Sequence, residues 1–422
     1  MSQTEKELLA EKVDRQPNEE AKPTASLNLF DLSVMPDSET SIELNQMRVD
    51  AVPDLARFTQ LQNMSQTEKE LLAEKVDRQP NEEAKPTASL NLFDLSVMPD
   101  SETSIELNQM RVDAVPDLAR FTQLQFLGLR QNLLTSLNAN LGRLTTLTEL
   151  ELYDNQLTEI AGLDQLVNLV MLDMSYNRIT KIQGLSTMTK LRRLFLVHNK
   201  IKRIEGLEGL DALELLELGD NRIKVIENLC HLVNLNELFV GHNDIQRIEG
   251  IQTLIKLRVL SLPANRLTKL EGLDTLTELE QLHLSDQGIE SLDGLGNQSK
   301  LIILDAANNR IVNLDGLGHL QKLEDLWLNN NKIVVWSEVD KLAQLRALDT
   351  VYLEHNPLYT TDTNQYRRKA MLALPHIRQL DSTVCRQQKN VVEEDTKQNS
   401  EDNNNAKPNS QRSAVATTAE KT

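Results

Sequence analysis

From Leu124 onward, apolar residues return at fixed offsets with polar residues between them. LTELELYDNQLTEIAGLDQLVN starts at Leu147, LVMLDMSYNRITKIQGLSTMTK at Leu169 and LRRLFLVHNKIKRIEGLEGLDA at Leu191, and the series resumes at Leu213, Leu235, Leu257, Leu279, Leu301 and Leu323. A polar marker keeps the register: Asn132, Asn155, Asn177, Asn199, Asn221, Asn243, Asn265, Asn309 and Asn331, with Gln287 in one slot, spaced 22 residues apart after a first step of 23. In each L-x-L the two leucines fall on one face of a short strand and turn inward, while the residue between them turns outward. The buried asparagine offers both a donor and an acceptor to backbone groups left unpaired where the chain leaves the strand.

Ten matches to L-x-x-L-x-L-x-x-N-x-L identify leucine-rich repeats. The predicted fold class is an α/β solenoid: a horseshoe of 22-residue repeats, with a parallel sheet on the concave side and short 3-10 turns or loops on the convex side. Twenty-two residues leave no room for a full convex helix. Since no repeat buries its apolar edge alone, both ends need caps. Residues 104–123 form a degenerate, more polar half-repeat suited to the first cap, 124–347 carry the repeats, and 348–381 hold the last repeat and a C-terminal cap. That last repeat is stretched to 25 residues (Asn331 to Asn356), and a helical run is predicted over 365–373, stopped before Pro375.

Residues 1–62 and 64–125 are identical, and Met64 restarts the sequence like an initiator, which predicts a chain of 359 residues beginning there. Each copy holds six Lys/Arg against twelve Asp/Glu, a net charge of −6. The composition of 1–103 predicts a disordered acidic arm, the half-repeat of the first copy (41–62) is expected to stay loose, and 382–422 is expected to be a disordered polar tail.

The outward residues of successive strands are Gly128, Glu151, Asp173, Phe195, Glu217, Phe239, Ser261, His283, Asp305, Trp327 and Tyr352. Neighbours on this column lie about 4.8 Å apart, giving an arc of roughly 50 Å. Four of the eight aromatics between Leu124 and Asn356 stand here, beside four acids and without one Lys or Arg. Aromatics on a rigid strand face are the anchors a protein interface needs, and acids beside them select a basic partner. The adjacent outward position adds Glu149, Arg193, Glu237 and Asp325. Two centres of contact energy are expected, Phe195–Phe239 and Trp327–Tyr352.

Overall charge changes the list of partners. A net charge of −18 repels phosphate backbones and anionic membranes, so neither nucleic acid nor a membrane is an expected partner. No run of 18 apolar residues occurs, and MSQTEKELLAEK has neither the basic nor the apolar region of a signal peptide. Cys230 and Cys385 are too few and too far apart for a disulfide framework or zinc site, which points to a reducing compartment, nucleus and cytoplasm. His198, Asp220 and His242 share a column, but alternate repeats lie about 10 Å apart, too far for both histidines to reach one metal ion. Lys332-Ile333-Val334-Val335-Trp336 has the form of a short phosphatase-docking motif, yet Trp336 occupies the slot of Ile160, Ile182 and Ile204 and is expected in the core. No phosphate loop, nucleophile elbow or acid–base cluster is present, so no catalysis and no cofactor are expected.

Several stretches go beyond the generic repeat: LELYDNQ (150–156), RLFLVHNK (193–200), LELGDNRI (216–223), TVYLEHNPL (350–358) and QYRRKAMLALPHIRQLD (365–381). With these the chain resembles the family of protein phosphatase 1 regulatory subunit 7, the leucine-rich-repeat regulatory subunits of the type-1 serine/threonine phosphatase, over about 104–381. The resemblance implies a non-catalytic regulator whose concave face grips the phosphatase catalytic subunit and controls its activity, maturation or location. It leaves open a further phosphatase-inhibitor subunit. The family's contact positions match Asp173, Phe195, Glu217, Phe239, Asp305, Asp325, Trp327 and Tyr352, to which the column adds Glu151. Asp325 departs from the family's usual Glu by one methylene. The second reading is a scaffold or adaptor of the cytoskeletal or axonemal kind, built on the same repeat.

Overall fold

Each repeat supplies one three-residue strand, because only the L-x-L core of the motif is extended before the asparagine turns the chain away. The computed structural model describes residues 95–385. Its strands are β1 (Ser104–Glu106), β2 (Phe126–Gly128), β3 (Glu149–Glu151), β4 (Met171–Asp173), β5 (Arg193–Phe195), β6 (Leu215–Glu217), β7 (Glu237–Phe239), β8 (Val259–Ser261), β9 (Gln281–His283), β10 (Ile303–Asp305), β11 (Asp325–Trp327) and β12 (Thr350–Tyr352). All pair in parallel in strict sequence order, with every outward residue opposite its counterpart one turn on: Phe195 meets Glu217, and Asp305 meets Trp327. The chain is a leucine-rich-repeat solenoid with a parallel concave sheet and little helix.

The polar ladder is built as the sequence requires. The side-chain amide of Asn177 donates to Leu152 in the preceding turn (3.0 Å) and to Met174 and Ser175 in its own (3.0 and 3.1 Å), while its oxygen accepts from the Leu157 amide at 3.0 Å. The residue before each marker takes a left-handed backbone, from Gln131 (φ 56°) to His355 (φ 59°), although none of them is glycine. Glycine is needed elsewhere. At Gly206 (φ +69°) a Cβ would collide with the Ile182 carbonyl oxygen.

Gln287 keeps the two bonds between turns, donating to Leu262 (2.8 Å) and accepting from the Leu267 amide (2.9 Å), but makes neither bond within its own turn. One methylene more carries its amide past those carbonyls. Gln287→Asn is therefore expected to stabilise the array by about 1 kcal/mol, the net worth of a recovered pair of weak bonds. A higher urea midpoint at unchanged m-value checks it.

At the N-terminal end β1 opens the sheet, and Ile105, Val115, Leu118 and Phe121 of 104–123 are buried. Local structure is also described ahead of the expected boundary at 103. Leu95–Val97 form a 3-10 turn, and the Arg120 guanidinium bonds the Leu95 and Met98 carbonyls and Asp100. The first copy of the duplication with its loose half-repeat at 41–62, the remainder of the acidic arm and the tail beyond 385 lie outside the described residues.

At the C-terminal end the three extra residues of the stretched repeat are taken up by α1 (Trp336–Asp340) and a 3-10 turn at Lys341–Gln344. Trp336 is half-buried rather than in the core, because as the first residue of α1 it leans on Tyr366 at 5.9 Å. The cap follows: α2 (Pro357–Thr361), α3 (Thr363–Ala373), β13 (Gln379–Leu380) parallel to β12, and β14 (Thr383–Val384) antiparallel to β13. The β13–β14 pair extends the described structure past the expected limit at 381. Asp381 ends the ladder, its carboxylate accepting from the Leu353 and Glu354 amides (2.8 and 3.1 Å) and from the Tyr366 hydroxyl (2.9 Å).

Candidate functional site

The concave sheet is the one surface where a single register position repeats on rigid strands, so side chains of one column stand in fixed relation along β3 to β12. The column residues are held there, but most do not face water freely. Exposure is 8% for Glu151, 3% for Asp173, 6% for Phe195 and Phe239, and 2% for Asp305. Glu217, Trp327, Tyr352 and Asp325 are half-buried. The column turns outward as the alternation predicts, but its aromatics and acids are largely covered rather than open to water. Strands about 4.8 Å apart on the inner side of a curve press their outward side chains together, and each covers its neighbours.

That crowding assembles two clusters. Phe195 and Phe239 pack with Met171, Leu215 and Val259 in an apolar group separate from the main core. Met171, Leu215 and Val259 belong to the first outward position of the strands, the one that also carries Glu149, Arg193, Glu237 and Asp325. Reading that position at its 22-residue spacing finds them, since Met171, Leu215 and Val259 alternate there with Arg193 and Glu237. The second cluster is aromatic: His283 meets Trp327 edge to face at 6.5 Å, Trp327 meets Tyr352 at 6.0 Å, and the Tyr352 hydroxyl accepts from Gln379 at 3.0 Å.

The acids differ in how they are held. Glu151 is paired with Arg130, which reaches over from the preceding turn. Asp173 accepts from the Ser175 amide at 3.0 Å, and Asp305 in the matching position accepts from the Ala307 amide at 3.1 Å. Burial pushes the Asp305 carboxyl up to about 6, against the opposing effect of its bonds to Ala307 and the Ser285 side chain. Burial also raises Asp325, with the Thr350 hydroxyl acting the other way. His283 is pushed down to about 4 by desolvation and stays neutral at physiological pH. Between the two clusters, the Ser261 hydroxyl and the Gln281 side-chain oxygen are buried without a hydrogen-bond partner. Such groups cost stability unless something satisfies them.

Among the described residues, no three His, Cys, Asp or Glu side chains converge on a metal position. His198 instead bonds Asp220 at 2.5 Å and stacks on Tyr176 at 4.7 Å. What the concave face offers is a rigid strip with an apolar group near one end, an aromatic pair near the other, and partly desolvated acids alongside.

A leucine-rich-repeat family model matches residues 275–409, and a two-copy leucine-rich-repeat model matches 145–187 and 167–209. The chain is 51% identical over 87 residues to the protein phosphatase 1 regulatory subunit SDS22 homolog of Caenorhabditis elegans, a stretch covering 21% of this chain and 27% of that protein. It is 57% identical over 51 residues to human protein phosphatase 1 regulatory subunit 7, covering 12% of this chain and 14% of the human one. The matched stretches thus span about a quarter or less of these relatives' length. Among solved structures, an internalin of Listeria monocytogenes aligns with a TM-score of 0.56 at 23% identity, over 68% of this chain and 88% of that one. A leucine-rich-repeat protein of Leptospira interrogans aligns with a TM-score of 0.54 at 27% identity, over 63% and 75%. The internalin likeness concerns the fold alone.

Proposed function

We propose that this chain is a non-catalytic regulatory subunit that holds the catalytic subunit of a type-1 serine/threonine protein phosphatase against its concave face and so controls its activity, maturation or location in nucleus and cytoplasm. The observation that carries the reading is the 51–57% identity, over short stretches, to proteins named as phosphatase 1 regulatory subunits. The geometry supports a binding role for the face: anchors at Phe195–Phe239 and Trp327–Tyr352, with Asp173, Glu217, Asp305 and Asp325 among them and Glu151 toward the N-terminal end. Interfaces draw most of their energy from a few such anchors in desolvated surroundings.

Because Trp327 is half-exposed whereas Phe195 is packed beneath its neighbours, the two anchors are tested separately and together. In a pull-down with purified phosphatase catalytic subunit, Trp327→Ala alone is expected to weaken binding by about 30-fold or more, the effect of losing one contact worth ~2 kcal/mol. Phe195→Ala plus Trp327→Ala is expected to abolish recovery. Undiminished recovery with the double variant overturns the concave grip. Capture of tubulin or dynein components by wild type, with the phosphatase ignored, favours the scaffold reading instead.

A further inference from the structure

The chain carries a net charge of −18 and an acidic concave column, yet one flank is strongly cationic. The residue after the ladder asparagine is Arg178, Lys200 and Arg222 in three consecutive turns. Their backbone amides donate to Leu157, Ile179 and Ile201 in the preceding turns at 2.8–2.9 Å, which stacks the three positions one above another. Two residues further along, beyond the buried Ile201 and Ile223, stand the exposed Lys202 and Lys224.

None of these five cations forms an ion pair or a side-chain hydrogen bond with a described residue. Their neighbours do: Arg203 pairs with Glu227 at 3.1 Å, Arg247 with Glu271 at 2.9 Å, and Lys181 with Glu205 at 3.9 Å. The same ladder position is neutral before the stripe, at Gln156, and after it becomes Asp244, which pairs with Arg266 at 2.5 Å. Stacked like charges repel across adjacent strands and turns. Five together, bounded on both sides by neutral or paired positions, have no described carboxylate to offset that repulsion. A bound anion removes the repulsion.

We propose that Arg178, Lys200, Lys202, Arg222 and Lys224 form a docking surface for a short Asp/Glu-rich segment of a partner protein. The footprint fits a peptide. Three turns span two steps of about 4.8 Å, and an extended segment presents carboxylates on one face every ~7 Å, so two or three acidic side chains fill it. A polynucleotide is a poor fit. It needs a longer cationic track and open aromatic faces for its bases. Beside the stripe, Tyr153 packs against Tyr176 with tilted rings at 4.9 Å, Tyr176 stacks on His198 at 4.7 Å, and Asp220 closes the row. The flank is separate from the acidic column, so the docking stands whether or not the concave face holds a phosphatase.

The test uses the full chain and a fluorescent peptide of about eight residues alternating Glu and Ser, long enough to cross the footprint. Anisotropy is read between about 0.05 and 0.2 M salt, the range over which surface charge is progressively screened. Lys200→Gln with Lys202→Gln and Lys224→Gln is expected to weaken peptide binding by about tenfold or more and to flatten its salt dependence. The control Arg203→Gln with Arg247→Gln removes paired cations and is expected to change binding by less than about twofold. Thermal unfolding of both variants verifies that they fold. No binding by wild type, equal losses in the two variants, or tighter binding of an oligonucleotide or of phosphatidylserine vesicles than of the peptide overturns the proposal.

Discussion

Asn309→Ala is expected to lower the stability of the solenoid by about 3–5 kcal/mol, more than most single core truncations of one methyl group. The Asn309 amide donates to Leu284 in the preceding turn (2.8 Å) and to Ala306 and Ala307 in its own (3.2 and 2.9 Å), while its oxygen accepts from the Ile289 amide (3.0 Å). Alanine leaves one buried N–H and at least one buried carbonyl without a partner, and water cannot reach them. Each orphaned group costs about 1–3 kcal/mol. Asn309→Gln is the informative companion. Gln287 shows that the longer amide preserves both bonds between turns, so the glutamine variant is expected to lose less than half as much. Urea unfolding of the two variants gives the order. An alanine variant no less stable than the glutamine one refutes the view that these bonds hold the turns together. Since repeat arrays do not always unfold in one step, coincidence of fluorescence and circular dichroism has to be established first.

Asp305→Asn is expected to act in the opposite sense, raising stability at pH 7.5 by about 1–3 kcal/mol. Burial lifts this carboxyl from 3.8 to about 6 in the folded chain. A group with a raised folded pKa contributes fully to stability below its unfolded value and loses that contribution as pH rises through its folded one. The wild-type chain therefore sheds stability between about pH 4 and pH 6.5, by up to ~3 kcal/mol for a displacement of this size. Asparagine stays neutral, keeps an oxygen for the Ala307 amide, and should remove that slope. The readout is the unfolding free energy of both proteins at several pH values. An asparagine variant that is less stable at pH 7.5, or that keeps the slope, contradicts the burial argument. The same variant is expected to weaken the proposed phosphatase contact. A buried charge that destabilises the free protein is useful where a cationic partner offsets the cost.

The repeat architecture was legible because it rests on local rules repeated many times. L-x-L marks the strand, Asn marks the turn, and a step of 22 residues fixes which residue opposes which, down to Gln287 taking the asparagine slot. The candidate site was legible by position and not by environment. Phe195 and Phe239 were placed correctly on the column, but their cover by Met171, Leu215 and Val259 depends on two outward positions read together, and on a curvature no single strand encodes. Glu151 illustrates the same limit, since its partner Arg130 comes from a third outward position on the turn before. Trp336 failed for a different reason. Extra residues in its repeat shift the chain into α1, and the slot rule no longer applies there.

The coil around β9 has consequences for mechanics. It lacks two of the bonds that brace other turns, and its Gln281 oxygen, like the Ser261 hydroxyl on β8, has no partner. It lies between the apolar cluster that ends at Val259 and the Trp327–Tyr352 pair. The solenoid is therefore less braced in the winding that lies between the two clusters proposed as its contacts. Under the proposed seating of a rigid partner on both clusters, the load is expected to fall on that winding, with the span between the clusters adjusting like a spring.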